Sequence, residues 1–164
     1  LGEKNMKKAI YPGTFDPITL GHIDIIKRSA ITFDKLVIGV SVDNNKKNLF
    51  SLDQRVDMIE HATKDIVNIE IKVFKGLLMD FAEKENAIAI VRGLRVLSDF
   101  ENEFKMALMN RSLNDDISTY FLMPHEKFTH ISSSLVKEVS SHGGNIKQYV
   151  PDYVYNKLNE KNKK

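Results

Sequence analysis

Short runs rich in valine and isoleucine alternate along this chain with longer stretches of helical period, and that alternation restricts the fold more than any other feature. Strands read at Lys8 to Tyr11, Leu36 to Val42, Val67 to Phe74, Ile88 to Val91 and Thr119 to Leu122. In the third of these, Ile69, Ile71 and Val73 alternate with polar residues and are expected to point inward. Helices fill the intervals. Ile23, Ile26 and Ala30 recur at helical spacing, and Ser51 with Gln54 writes a capping box ahead of Val56, Ile59 and Ala62. Leu77 to Glu85 is a third helix, and Ser98 to Leu113 carries Phe100, Phe104, Ala107 and Leu108 on one face. Ser132 to Ser141 and Pro151 to Asn159 close the pattern, with Pro151 suited to a first turn. Five strands separated by helices require right-handed crossovers, so the expected fold is α/β and doubly wound (Rossmann-like): a five-stranded parallel sheet with helices on both faces. Ligands of such sheets sit beyond the carboxyl ends of the strands, which directs attention to the residues just after each one.

Composition removes several classes of chemistry. The 164 residues, 42% apolar and 28% charged, supply one core and lack the bias of disordered chains. There is no cysteine, which excludes disulfides, thiolate metal ligands and a cysteine nucleophile, and fits a reducing cytoplasmic setting. The net charge is only +2, and the five arginines and 19 lysines are scattered, so no nucleic-acid partner is expected. No apolar run nears the roughly 18 to 20 residues of a membrane span, so no membrane partner is expected either. Residues 1–5 precede a Met6 that would make a natural start and are expected to be a remnant or disordered; residues 6–160 are expected to form a single domain, and 161–164 a disordered tail.

Three strand-to-helix joints carry unusual residues. The first runs from Tyr11 to His22 and holds Pro12, Gly13, Thr14, Phe15, Asp16, Pro17, Thr19 and Gly21. A strand that enters a glycine turn and then a helix N-terminus offers free N–H groups and the positive end of a helix dipole to a phosphate. It is neither a P-loop nor a GxGxxG fingerprint. At that helix start the dipole disfavours a ring proton, so His22 is expected to act as a neutral donor. The second joint, Arg92-Gly93-Leu94-Arg95, sets two of the five arginines around a glycine. They read equally as guanidinium forks for phosphate oxygens and as surface residues neutralised by Asp99, Glu101 or Glu103. The third, Phe128 to Ser134, brings three consecutive serines to a helix start, where hydroxyls cap the helix and also suit β- or γ-phosphates. The other histidines, His61, His125, His130 and His142, lack metal-ligand spacing, and there is no GxSxG elbow.

Together, TxGH at Thr19 to His22, RGLR at Arg92 to Arg95 and ISSSLVK at Ile131 to Lys137 resemble the nucleotidyltransferase superfamily, and within it the bacterial phosphopantetheine adenylyltransferases. The likeness extends from Met6 to about Leu158. It implies reversible transfer of AMP from ATP to 4'-phosphopantetheine, giving dephospho-coenzyme A and pyrophosphate by in-line attack without a covalent intermediate, the penultimate step of coenzyme A synthesis. By position it implies that His22 stabilises the transition state, with Lys46 and Arg95 also catalytic. ATP would meet Thr14, Phe15, His22, Gly93, Leu94, Arg95 and Glu103, and also Phe128, Thr129, His130, Ile131, Ser132, Ser133 and Ser134. Phosphopantetheine would meet Thr14, Lys46, Leu78 and Arg92. The resemblance further implies Mg²⁺ carried in with ATP rather than a protein metal site, feedback inhibition by coenzyme A, and a homohexamer. The chain departs from the family pattern at Asn102, often a tyrosine, at Asn48, usually a proline, and at Thr129-His130, which replaces a serine-aromatic pair. Two alternatives stand beside this reading: another phosphorylated acceptor such as nicotinate mononucleotide, or a catalytically silent nucleotide-binding module.

Overall fold

The computed structural model describes residues 6–42 and 47–163. Five strands, β1 (Lys8–Gly13), β2 (Lys35–Ser41), β3 (Ile69–Phe74), β4 (Ala89–Gly93) and β5 (Ser118–Leu122), pair parallel in the order β3-β2-β1-β4-β5. The chain winds outward from β1 through β2 to β3, then crosses back to lay β4 against the other edge of β1. The winding therefore reverses between β1 and β4, where Ala9 faces Ala89 and Ile10 faces Ile90. Their neighbouring carboxyl ends form the switch point at which a parallel sheet leaves room for a ligand.

The helices are α1 (Leu20–Thr32), α2 (Leu52–Thr63), α3 (Leu78–Lys84), α4 (Leu97–Leu113), α5 (Ser133–Ser141) and α6 (Asp152–Asn162), with a 3₁₀ turn at Glu126–Phe128. Because successive strand residues face opposite sides, β1 and β2 feed two separate cores. Ala9, Tyr11, Leu36, Ile38 and Val40 pack with residues of α1, α2, α5 and α6, whereas Ile10, Val37 and Ile90 pack with Met79 and Ala82 of α3 and with Ile117. Both faces are covered, as a doubly wound sheet demands. The capping box expected at Ser51 and Gln54 opens α2.

Three local expectations are corrected. Val67 lies outside β3 and is 97% exposed, and Val73 is half-exposed because β3 is an edge strand whose cover runs out before its end. Pro151 is the N-cap of α6 rather than its first helical residue, and the helix continues to Asn162, into the segment expected as tail. The largest difference concerns α4. The apolar face read in the sequence is about half exposed at Phe100, Phe104 and Leu108, and the one buried residue of the helix is Asn110. Apolar side chains at Leu97, Met106, Met109 and Leu113 are exposed as well, so α4 has no single apolar stripe from which a packing face can be read.

Candidate active site

The path from β1 into α1 is set by one ring. A Cβ on Gly13 would stand 2.9 Å from the Phe15 ring, so only glycine admits the chain here, and Phe15 itself takes φ +50°. The buried Phe15 ring meets Tyr11 and His22 edge-on, at centroid distances of 5.5 and 5.2 Å. Thr19 caps α1, and His22, three residues on, takes the part usually played by Glu or Gln in a capping box. Its Nδ1 accepts the Thr19 backbone N–H at 3.0 Å. A backbone N–H can only donate, so Nδ1 carries no proton and the neutral ring bears its hydrogen on Nε2. Protonation at Nδ1 would set two donors against each other. Burial, and then the nearby Arg95 charge, lower the His22 pKa to about 4. The sequence attributed a neutral ring to the helix dipole; the structure assigns it to burial, Arg95 and the cap.

The three joints are stitched to one another. Arg92 grips Glu103 through two bonds of 2.6 Å and donates from a third nitrogen to the Pro12 carbonyl at 3.3 Å, tying the second joint to the first. Burial opposes the Arg92 charge, but the Glu103 carboxylate outweighs it and holds the guanidinium above its ordinary pKa. Arg95 grips Asp99 at 3.0 and 3.1 Å and donates to the Ile131 carbonyl at 3.0 Å, tying the second joint to the third. Ser133 donates to the Pro17 carbonyl at 2.7 Å and closes the ring. Both arginines line the cleft, and each is paired with a carboxylate, Arg92 with Glu103 and Arg95 with Asp99.

A cavity of about 280 Å³ lies within this ring, at the carboxyl ends of β1 and β4. Phe15, His22, Arg92, Gly93, Arg95, Glu103, Phe128, Ile131, Ser132, Ser133 and Ser134 line it, with Asp99 and Tyr11. A second cavity shares Phe15, His22, Ser133 and Ser134 and adds Thr14, Asp16, Lys47 and Lys137. Four expected residues sit elsewhere. The Leu94 amide is bonded to the Leu122 carbonyl at 2.9 Å, and Leu78 packs on the smaller core. Thr129 bonds back to the Glu126 carbonyl, while His130 turns edge-on to Tyr149. Lys46 lies outside the described residues.

Two buried charges that the sequence left without a role hold the first joint in shape. Asp16, 4% exposed, accepts the amides of Leu49 and Phe50, each at 2.9 Å, and the Lys137 ammonium at 2.8 Å. Arg55, 3% exposed, donates to the carbonyls of Thr14 at 2.7 Å and Ser41 at 3.1 Å, with its Nε left without a partner. Burial pulls the Arg55 pKa down and Asp16 opposes that pull. The signal for Arg55 was a lone arginine on the apolar stripe of α2, three residues after Leu52 and four before Ile59. Among the described residues no three His, Asp or Glu side chains group as a metal site, and Asp16, Asp99 and Glu103 are each engaged by cations. The guanidinium, ammonium and hydroxyl groups that line the two cavities are hydrogen-bond donors.

Comparison with known proteins agrees with this geometry. The cytidylyltransferase-like family model matches residues 10–139. The phosphopantetheine adenylyltransferase of Caldanaerobacter subterraneus subsp. tengcongensis is 52% identical, over 97% of this chain and 99% of its own length. Those of Desulfosudis oleivorans and Dictyoglomus thermophilum are each 54% identical over 95% of this chain, covering 93% and 95% of their own lengths. A putative nicotinate-nucleotide adenylyltransferase from Vibrio parahaemolyticus superposes with a TM-score of 0.71 across 95% of this chain and 94% of its own; at 21% identity that likeness speaks for the fold alone. With a phosphate-suited cavity at the switch point of a cytidylyltransferase-like fold and relatives this similar along nearly its whole length, the chain belongs to the phosphopantetheine adenylyltransferase family of nucleotidyltransferases.

Proposed function

We propose that the chain transfers the adenylyl group of ATP reversibly to 4'-phosphopantetheine, releasing pyrophosphate and forming dephospho-coenzyme A. The observation that carries this reading is the closed ring of contacts by which three phosphate-suited joints surround one cavity. The acceptor is taken from the relatives, all three of which bear that enzyme's name. A phosphate oxygen of the acceptor attacks the α-phosphorus in line and pyrophosphate departs, so no protein nucleophile is required. The His22 Nε2–H donates to an α-phosphate oxygen as charge builds on it, and remains a donor at neutral pH because Nδ1 is occupied by Thr19. Three N–H groups of each guanidinium are committed to protein, leaving two on Arg92 for the acceptor phosphate and two on Arg95 for the nucleotide. Glu103 and Asp99 hold the planes of these forks; Glu103 thus acts on ligand mainly through Arg92. Ser132 caps α5, and the first amides of that helix, at Ser133 and Ser134, serve the β,γ-phosphates beside Lys137. Thr14 bridges the two substrates, and Lys46 and Leu78 keep the acceptor roles that the family resemblance implies.

Mg²⁺ enters as the ATP complex. The reading also includes coenzyme A as feedback inhibitor and a cytoplasmic homohexamer, to which the exposed apolar residues of α4 lend support. Among the described residues no helix is long and apolar enough to cross a membrane.

Pyrophosphate release measured with ATP and Mg²⁺ across 4'-phosphopantetheine, nicotinate mononucleotide and glycerol 3-phosphate tests the assignment. The highest kcat/KM is expected with 4'-phosphopantetheine. A higher value with nicotinate mononucleotide overturns the choice of acceptor, and ATP binding without turnover of any acceptor replaces the enzyme by a binding module.

A further inference from the structure

One buried titratable side chain beside the cavity has no part in the chemistry above. Tyr11 is 5% exposed, its ring packed among Phe15 and the larger core, yet its hydroxyl makes no hydrogen bond among the described residues. Among the described residues the one side-chain polar atom both fully enclosed and without a partner is Arg55 Nε, so the Tyr11 hydroxyl reaches the cavity that Tyr11 lines. It stands beside Gly93, where an added Cβ would lie 3.7 Å from it, and Arg92 and Arg95 line the same cavity. Phenylalanine would fill the same core volume without leaving a hydroxyl to lose its water when the cavity is occupied.

We propose that the Tyr11 hydroxyl donates a hydrogen bond to an oxygen of the bound nucleotide and so belongs to the ATP-binding set. The inference rests on reading this cavity as the ATP site. The Gly93 and Arg95 side of the cavity, rather than the Arg92 and Pro12 side, is the nucleotide side in that reading, and the hydroxyl adjoins Gly93. Burial raises the Tyr11 pKa and outweighs the opposing charges of Arg92 and Arg95, so the group stays a phenol and keeps the proton that it donates.

Tyr11→Phe removes the oxygen and preserves the ring. Calorimetric titration of the wild type and Y11F with ATP alone, and separately with 4'-phosphopantetheine alone, reads the effect. The expected result is an ATP Kd raised about tenfold, as for a hydrogen bond to a charged ligand, with the 4'-phosphopantetheine Kd and the thermal midpoint of the free protein little changed. An unchanged ATP Kd overturns the proposal. Equal weakening of both ligands with a lowered midpoint also overturns it, by making Tyr11 a packing residue. Failure of the wild type itself to bind ATP would instead bring down the reading of the site on which the proposal stands.

Discussion

Helices α1 and α4 leave neighbouring strands, β1 and β4, and both flank the same cavity, yet they are held in opposite ways. The body of α1 is anchored in the larger core by Ile23, Ile25 and Ile26, and Ser29 is buried with them. No residue of α4 belongs to either core among the described residues. Its first two turns are fastened to β4 and the loop that follows by the Arg92–Glu103 and Arg95–Asp99 pairs, while Phe100, Phe104, Leu108 and Met109 are about half exposed. The contrast separates two tasks. Burial anchors α1 and, with the nearby Arg95 charge, lowers the pKa of the His22 ring that it carries. A helix fastened through carboxylate–arginine pairs at its N-terminal turns leaves the apolar side chains of its later turns partly exposed.

The sharpest way to break the comparison is at the tip of α1. His22→Ala should lower kcat about 10²- to 10³-fold, the usual consequence of losing one transition-state donor, with the ATP Kd nearly unchanged. Steady-state kinetics beside equilibrium ATP binding would check this; a matching loss in ATP affinity would mean that His22 binds the ground state. On α4 a milder effect is expected. Phe104→Asp combined with Leu108→Asp should reduce the mass seen by sedimentation while far-UV circular dichroism keeps its helical signal, since neither residue supports a core. An unchanged mass would show that this face does not mediate self-association.

The three joints were legible because strand period, helix period and turn chemistry are local properties of the chain. The parallel sheet followed from the alternation, and the strand-to-helix joints that hold His22, Arg92, Arg95 and Ser132 to Ser134 stand out in the sequence and line one cavity in the structure, while the roles of these residues come from the family resemblance. What stayed hidden depends on partners far away in sequence. Asp16 meets Lys137, 121 residues on, and Arg92 meets Pro12, 80 residues back. Neither pairing can be inferred before the order of strands is known. The resemblance implies Leu94 at the nucleotide; its amide is taken up by the Leu122 carbonyl, because β5 runs beside β4. The outer face of α4 was hidden for another reason: helical period locates apolar residues on a helix and is silent about whether the same chain covers them.

The proposed transfer requires His22 to be a neutral donor through Nε2, and imidazole ¹⁵N NMR of the free protein over a pH titration observes that state directly. The folded chain is expected to show the Nε2–H tautomer at neutral pH and to take up a second proton only near pH 4, against an ordinary value of 6.5. Because the unfolded chain binds that proton first, the His22 contribution to stability is complete above 6.5 and drains away as the pH falls toward 4, a direction that urea titrations at several pH values would follow. An Nδ1–H tautomer at neutral pH, or a titration midpoint near 6.5, would contradict the account.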